Sequence, residues 1–167
     1  MKIKQIILDI EGLGIILYSD FAVKHIEDDE DYLSESYDTP QQVAKHVNKG
    51  TIVGFCTGSP GTYILDIHNG YPSNQEIRIS DLKLQLGIEV RDNRICFKDL
   101  YDLMEWDSES DVEFVEVENG YYLVTLCGNI PMSGIAGDEQ FINVYLTKVQ
   151  TMPEVHYEAV PMFCKGY

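Results

Sequence analysis

Short segments rich in Ile, Val, Tyr and Phe alternate with turn residues along most of the chain. Each segment is four to ten residues long, which is typical of β-strands. Eleven segments are predicted as strands: IKQIILDI, GIILYSDFAV, TIVGFC, TYILDIH, EIRI, LKLQLGIEV, NRICF, VEFVEV, YYLVTLC, FINVYLTKV and VHYEAV. This pattern predicts a mainly β protein, an antiparallel β-sandwich with one or two short helices, formed by residues 1–167 as a single domain.

Two turn motifs predict β-hairpins. Asn119-Gly120, in VEFVEVENGYYLVTL, is a dipeptide that favours the two-residue type I′ turn. Asp92-Asn93, in VRDNRI, supplies a second reversal between LQLGIEV and RICF. We therefore expect the strands on either side of each turn to pair with one another.

Two segments are predicted as helices. TPQQVAKHVNKG has Thr39 as N-cap, Pro40 at the first helical position and Gly50 as terminator. In KDLYDLMEW, Leu100, Leu103 and Met104 lie at helical spacing, and this helix is expected to be two turns long at most.

The charge of the chain is strongly negative and unevenly distributed. Its formal net charge is -16, with a pI near 4.4, which argues against nucleic acid and anionic membranes as partners. Eighteen of the 28 acidic residues fall in two windows without Lys or Arg, residues 25–44 and 99–147. Because acidic proteins usually intersperse opposite charges, this segregation indicates an electrostatic face, and a solvated acidic surface is the alternative.

Metal and cofactor sites are not predicted. The acidic run EDDEDYLSESYD lacks the Gly at the sixth position that an EF-hand loop requires, so a solvated loop is favoured over a calcium site. The four histidines and four cysteines show no metal-ligand spacing, and the cysteines are predicted to be buried free thiols. No stretch approaches the roughly 18 apolar residues of a membrane helix, and we expect a cytoplasmic protein.

One catalytic alternative centres on Cys56. GFCTG matches a cysteine variant of the nucleophile elbow, and Asp66 and His68 follow on one face of the next predicted strand. The elbow works as a strand-to-helix turn, whereas SPGTYILDIH predicts a turn and another strand. A packed thiol is therefore favoured and no enzyme is expected, with a small-ligand-binding or hydrolytic β-sandwich that uses these three residues as the alternative.

The segregated charge favours a basic protein as the partner. Complementary charge steers association, and a protein that captures a nuclease gains by presenting carboxylates to the phosphate-binding Lys and Arg of the enzyme. Trp106 is expected in the core, with an interface hot spot as the alternative. The candidate partner-binding residues are the acids Glu27, Asp28, Asp29, Glu30, Asp31, Asp107, Glu109 and Asp111, with Tyr32 and Tyr37 as packing contacts.

The central part of the chain, residues 62–127, resembles a known class of inhibitors. The segments TYILDIHNGYPSNQEIRISDLKLQLGIEVRDNRICFKDLYDLMEW and VENGYYLVTL are similar to the small β-sandwich inhibitors of bacterial competence nucleases and to toxin-immunity proteins. The resemblance lies in strand patterns and carries over no individual binding residue. It implies an inhibitor or immunity role. Together with the segregated charge it predicts a basic toxin of the nuclease type, in bacterial competition, as the partner, and the oligomeric state is left open.

Overall fold

The computed structural model describes residues 1–164. Within them, nine strands form two sheets: β1 Lys2–Ile10, β2 Gly14–Tyr18, β3 Val53–Cys56, β4 Gly61–Asn69, β5 Leu82–Val90, β6 Arg94–Asp99, β7 Glu113–Glu116, β8 Gly120–Gly128 and β9 Gln140–Val149. The α-helices are α1 Tyr32–Ser36, α2 Pro40–Lys49 and α3 Asn74–Ile79. Two 3-10 helices cover Asp20–Val23 and Leu100–Met104. In this part of the chain no helix has the length and apolar character needed to span a membrane.

The two sheets confirm the predicted mainly β sandwich-like fold. Five strands form one sheet in the order β1-β4-β9-β8-β5, and four form the other in the order β3-β2-β6-β7. The strand pairs are antiparallel except β4 and β9, which run parallel. Parallel pairing requires a crossover, and the long segment between β4 and β9, which includes four other strands, provides it.

The core lies between the inner faces of the sheets. On β4 the side chains of Tyr63, Leu65 and Ile67 are buried, while the residues between them are partly exposed. On β6 the inward-facing residues are Ile95 and Phe97, both fully buried. Burying a side chain of this size contributes about 1.5–3 kcal/mol, so the alternation fixes which face of each strand turns inward.

The better of the two predicted helices is confirmed. Thr39 caps α2 by accepting from the amide of Gln42 at 3.2 Å, and the Gln42 side chain accepts from the amide of Thr39 at 3.0 Å. Gly50 ends the helix in the left-handed conformation, with φ of 70°. The second predicted helix is the short 3-10 helix Leu100–Met104, whose first turn is capped by the carboxylate of Asp99.

Both predicted hairpins are wrong. The chain bends at both positions, but Asn119 lacks the positive φ that the predicted type I′ turn requires. β5 pairs with β8 in one sheet and β6 pairs with β7 in the other, so each bend carries the chain from one sheet to the other. The two connections are joined: the amide of Asn93 donates to the side-chain oxygen of Asn119 at 2.8 Å, and the amide of Val117 donates to the carbonyl of Asn93 at 3.0 Å. Asn93 adopts φ of 57°, a left-handed conformation that Asn tolerates better than most residues.

Three predicted strands also need correction. EIRI lies within α3, because Ser73 caps this helix by accepting from the amide of Glu76 at 3.1 Å. The strand predicted for GIILYSDFAV stops at Tyr18 and is followed by the 3-10 helix. VHYEAV has no regular secondary structure and is anchored by the two hydrogen bonds between Asn48 and Tyr157.

Candidate protein-binding surface

Two acidic loops that are far apart in the sequence lie side by side. The first acidic loop, residues 27–31, precedes α1, and the second acidic loop, residues 105–111, follows the 3-10 helix Leu100–Met104. The amide of Asp29 donates to the carbonyl of Trp106 at 2.7 Å, and the amide of Trp106 donates to the carbonyl of Glu30 at 3.1 Å. The amide of Ser108 donates to Oδ1 of Asp28 at 2.8 Å. The two base-free windows therefore contribute to one continuous surface, called here the acidic surface.

The acidic surface contains all eight predicted carboxylates. Glu30 is half-buried and the other seven are exposed to solvent: Glu27, Asp28, Asp29, Asp31, Asp107, Glu109 and Asp111. Main-chain hydrogen bonds bring these like charges together, so the repulsion between them is opposed by the pairing of the loops.

Several of these carboxylates are held in place by backbone amides. Asp31 caps α1 by accepting from the amide of Ser34 at 3.1 Å. The hydrogen bonds that Asp28 and Asp31 accept from the amides of Ser108 and Ser34 lower the pKa of both carboxyl groups. Both groups therefore lose their charge at a lower pH than an ordinary Asp does.

Glu30 and Asp107 also accept from backbone amides, those of Glu27 and Glu109, and the remaining four carboxylates make no such contact. Among residues 1–164, the side chains of Glu27, Asp29, Glu109 and Asp111 accept no hydrogen bond and form no salt bridge. Asp29 also adopts φ of 66°, which directs the chain at the tip of the first acidic loop. These four are the charges most available to a partner.

The placement of Tyr32 and Tyr37 on this surface is corrected. Their exposed fractions are 6% and 2%, and both rings belong to the hydrophobic core. The Tyr37 hydroxyl donates to the carbonyl of Ile52 at 2.9 Å. The Tyr32 hydroxyl lies between Nε2 of His46, at 2.7 Å, and Nε2 of His25, at 3.2 Å. Tyrosines near a run of charged residues suggest a contact surface, but here both aromatic rings are buried in the core of the β-sandwich.

Hydrogen bonds assign the roles in this histidine–tyrosine cluster. Nδ1 of His46 lies 2.7 Å from the carbonyl of Gln42, an acceptor, so Nδ1 carries the proton and Nε2 accepts from the Tyr32 hydroxyl. The Tyr32 oxygen in turn accepts from Nε2 of His25. This chain of contacts anchors both ends of the first acidic loop, because His25 precedes the loop and Tyr32 follows it.

A pocket of about 590 Å³ opens between the two acidic loops. It lies over the second face of β6, which carries Arg94, the buried Cys96 and Lys98 and is opposite to the face of Ile95 and Phe97. Trp106 is 3% exposed, belongs to the core as expected and also lines the pocket, where it meets Tyr18 edge to face. The charged residues of the lining are Asp20, Lys24, Glu27, Asp28, Arg94, Lys98 and Asp107.

The bases of the pocket are paired to different extents. Arg94 donates to both carboxylate oxygens of Asp20, at 2.8 and 2.9 Å, and this bidentate contact raises the pKa of Arg94. Lys98 is only 7% exposed, donates to Oγ of Ser110 at 2.5 Å and lies 5.0 Å from the Trp106 ring centre. Lys98 was not identified as a site residue from the sequence. The one local signal is that Lys98 alternates along β6 with the buried Ile95 and Phe97, which places it on the opposite face of the strand.

The alternative catalytic trio is not brought together. Cys56 ends β3 in the four-stranded sheet, whereas Asp66 and His68 lie on β4 in the other sheet, on the face opposite to the buried Tyr63, Leu65 and Ile67. Asp66 forms a salt bridge with Lys2 at 2.7 Å, and the His68 ring stacks on Tyr145. The core separates the thiol from both groups.

The cysteines and metal-ligating residues add no second site. All four cysteines are free; Cys96 and Cys127 are buried as predicted, while Cys56 and Cys164 are half-buried. In the described part of the chain, no group of three or more His, Cys, Asp and Glu side chains has the arrangement of a metal site.

Comparisons with known proteins identify the fold. No protein-family model matches the chain, and no curated protein matches its sequence. Among solved structures, ComJ from Bacillus subtilis, described as an inhibitor of the DNA-degrading activity of NucA, superposes with a TM-score of 0.51 at 13% identity, covering 89% of this chain and 98% of ComJ. The protein described as crocagin biosynthetic gene J superposes with a TM-score of 0.52 at 12% identity, covering 84% of this chain and 94% of the other.

The structural comparisons confirm, at the level of the fold, the resemblance indicated by the strand patterns. Both similarities extend over more of this chain than the central residues 62–127 that suggested it. At 12 and 13% identity they show a shared fold and carry over no binding residue.

Proposed function

We propose that this protein is an inhibitor or immunity protein that binds a basic toxin of the nuclease type and neutralises it, without catalysis of its own. The observation that carries the proposal is the pairing of two acidic loops into one surface. The fold that the chain shares with ComJ, an inhibitor of a DNA-degrading protein, supports the same role.

The charge of the acidic surface suits a nuclease as the partner. A protein that binds nucleic acid presents Lys and Arg to phosphates. Carboxylates at a spacing similar to that of the phosphates compete with nucleic acid for those Lys and Arg side chains. Complementary charge also raises association rates by about 10- to 1,000-fold at low salt. Eight exposed carboxylates within the two adjacent loops, Glu105 and seven of the predicted ones, supply such a field.

The pairing of the loops also lowers the cost of binding. Loops that must be ordered on association lose conformational entropy, which reduces affinity. Here three hydrogen bonds between residues 28–30 and 106–108 hold the loops together, and the amide contacts of Asp28 and Asp31 orient two of the carboxylates before any partner arrives. The acidic surface is therefore preorganised for a rigid basic target.

We place this interaction in the cytoplasm of a bacterium that meets the toxin in competition, with residues 1–167 acting as one domain. The inhibitor then shields the nucleic acid of the cell by covering the basic surface through which the toxin binds phosphate. Neutralisation requires only tight binding, so the chain needs no nucleophile, metal or cofactor.

Affinity capture tests the proposal. The immobilised protein is exposed to lysate of its host and of competing strains and washed at about 50 mM and about 500 mM salt, since salt screens exposed charges. The matched bait carries Glu27→Gln, Asp29→Asn, Glu109→Gln and Asp111→Asn, the four carboxylates without structural contacts. We expect one strongly basic protein, which degrades DNA and is inhibited by this chain, to be retained by the natural bait and depleted from the variant. Enrichment of no basic protein, or of one whose activity the chain leaves intact, contradicts the proposal.

A further inference from the structure

Lys98 is a buried cation without a carboxylate partner in the described residues. Its ammonium group has three N–H donors; one meets Oγ of Ser110 and the π-face of Trp106 lies 5.0 Å away. Across residues 1–164, no carboxylate oxygen comes within 4.0 Å of Lys98 Nζ. Burying a charge is costly unless it is paired, so an anionic group in the pocket would gain a strong contact.

No neighbouring carboxylate forms a direct contact with Lys98. Asp102 is near enough for the Lys98 charge to oppose the rise that burial causes in the pKa of its carboxyl group, but its oxygens lie more than 4.0 Å from Lys98 Nζ. The Asp20 carboxylate is bound by both Nε and Nη2 of Arg94. Asp99, next in the chain, accepts from the backbone amides of Glu11, Gly12 and Tyr101 instead. The available ammonium donor therefore faces the pocket between the two acidic loops.

The acidic rim restricts which anions reach Lys98. Glu27, Asp28 and Asp107 lie at the pocket and repel a free anion that approaches from solvent. An anionic group that lies between two cationic groups of a partner meets no such barrier. The cationic groups bind the carboxylates at the edge of the pocket while the anionic group binds Lys98. The pocket is therefore complementary to a partner surface in which one negative charge lies between positive charges.

We propose that this pocket receives one Asp or Glu side chain that the partner presents within its basic surface, with the carboxylate bound by Lys98. The inference rests on the proposed function and adds a specificity element to it. Nucleases hold carboxylates for metal ions amid phosphate-binding bases, so this pattern occurs where an inhibitor would block activity. A purely basic surface lacks the central carboxylate and binds less well.

Trp106 makes occupancy of the pocket measurable. It is the only tryptophan of the chain and lines the pocket beside Lys98. A carboxylate that draws the ammonium group away from the indole ring changes the environment of that ring. Intrinsic fluorescence therefore reports binding in the pocket without a label.

Two matched peptides test the proposal without the natural partner. The probe is acetyl-Lys-Lys-Glu-Lys-Lys-amide and the control replaces its Glu with Gln, which raises the peptide charge by one. Binding is followed by Trp106 fluorescence at about 20 mM salt, where screening is weak. The Glu peptide has one positive charge fewer in total, but its carboxylate gains a hydrogen bond to the charged Lys98. We expect this bond to contribute more than the lost long-range attraction, so the Glu peptide should bind roughly tenfold more tightly than the Gln peptide. If only attraction to a protein of net charge -16 mattered, the Gln peptide would bind more tightly.

Variants assign this preference to Lys98. Lys98→Met keeps the length of the side chain and removes its charge, and Lys98→Gln keeps a polar group for Ser110 and serves if the Met variant fails to fold. Lys45→Met removes one exposed lysine outside the pocket. We expect the preference for the Glu peptide to disappear in either Lys98 variant and to persist in Lys45→Met.

Equal binding of the two peptides, tighter binding of the Gln peptide, no binding of either, or a preference that survives loss of Lys98 overturns the proposed pocket. Failure of the inhibitor role appears separately, because the capture experiment then enriches no basic DNA-degrading protein whatever the peptides do.

Discussion

The backbone amide of Ser108 donates to the carboxylate of Asp28 at 2.8 Å, across 80 positions of the sequence. This hydrogen bond, with the two main-chain contacts of Trp106, joins the acidic loops into one surface. The carboxylate of Asp28 therefore has two functions: it contributes negative charge to the surface and it holds the second acidic loop in position.

Replacement of Asp28 separates these two functions. We expect Asp28→Ala to speed hydrogen exchange of the Ser108 amide, because the acceptor is lost, and Asp28→Asn to retain most of the protection, because its side-chain oxygen still accepts. Exchange measured by NMR at the Ser108 amide provides the test. Equal exchange rates in Asp28→Ala and the natural protein would show that the loops are held together by other contacts.

The connection between β5 and β6 depends on the left-handed backbone conformation of Asn93. Ala at position 93 is strained at φ of 57°, so we expect Asn93→Ala to lower the free energy of unfolding by about 1–2 kcal/mol. Gly adopts this conformation without strain, and Asn93→Gly is expected to be close to neutral. Chemical denaturation of both variants gives the comparison, and equal unfolding free energies for Asn93→Ala and the natural protein would contradict the expected strain.

Acid is expected to weaken the anchoring of the first acidic loop through His46. Burial lowers the pKa of His46, with a contribution from the nearby positive charges of His25, Lys45 and Lys49, although the hydrogen bond to the Gln42 carbonyl opposes the shift. The unfolded chain therefore binds this proton more readily than the folded protein, so its contribution to stability is present above the unfolded pKa and is lost as the pH falls.

His46→Gln tests this dependence, because Gln accepts from the Tyr32 hydroxyl and does not titrate. Urea denaturation between about pH 7.5 and pH 5 gives the unfolding free energies, with the exposed His156→Gln as the matched control. Between neutral and mildly acidic pH, the natural protein and the control are expected to lose stability relative to His46→Gln. Parallel curves for all three proteins would exclude His46 as the titrating group.

The thiol of Cys56 is expected to be dispensable. Its location at the end of β3, across the core from Asp66 and His68, gives it no catalytic partner, so Cys56→Ser should inhibit the captured toxin as well as the natural protein does. Cys96, whose pKa burial raises to about 12, should resist thiol reagents near neutral pH until the protein unfolds. Loss of inhibition in a folded Cys56→Ser variant would contradict this expectation and favour the hypothesis that Cys56 is catalytic.

Local sequence signals predicted the positions of helices and strands better than they predicted which strands pair with each other. Thr39, Pro40 and Gly50 define α2 within a dozen residues, and the structure has that helix. Asp92-Asn93 and Asn119-Gly120 located two bends of the chain, but such a motif does not specify whether the next strand stays in the same sheet. That choice depends on the burial of whole strand faces and on the Asn93–Asn119 hydrogen bond, which joins positions 26 apart.

The candidate site was predictable in composition and not in geometry. The two windows without Lys or Arg predicted the acidic residues of the surface. The pairing of the two loops depends on backbone hydrogen bonds, which the residue types do not indicate. Tyr32 and Tyr37 lie in the core, where their hydroxyl groups form hydrogen bonds with Nε2 of His46 and with the carbonyl of Ile52. Lys98 immediately precedes the second window, yet only the three-dimensional fold shows that it lies beneath both loops.

The most direct test of the acidic surface is the association rate constant with the captured basic toxin, measured by stopped flow from about 50 mM to about 500 mM salt. The proteins compared are the natural chain, the variant with Glu27→Gln, Asp29→Asn, Glu109→Gln and Asp111→Asn, and a control with four exposed acids replaced elsewhere: Asp81→Asn, Asp138→Asn, Glu154→Gln and Glu158→Gln. Both variants change the net charge equally.

If the acidic surface steers the toxin, the natural protein and the control associate at least about tenfold faster than the surface variant at low salt, and their rates fall steeply as salt rises. The surface variant then shows a slow rate with a shallow salt dependence. Identical rates and salt dependences for the two variants would contradict the account, because the effect would then belong to net charge rather than to the paired loops.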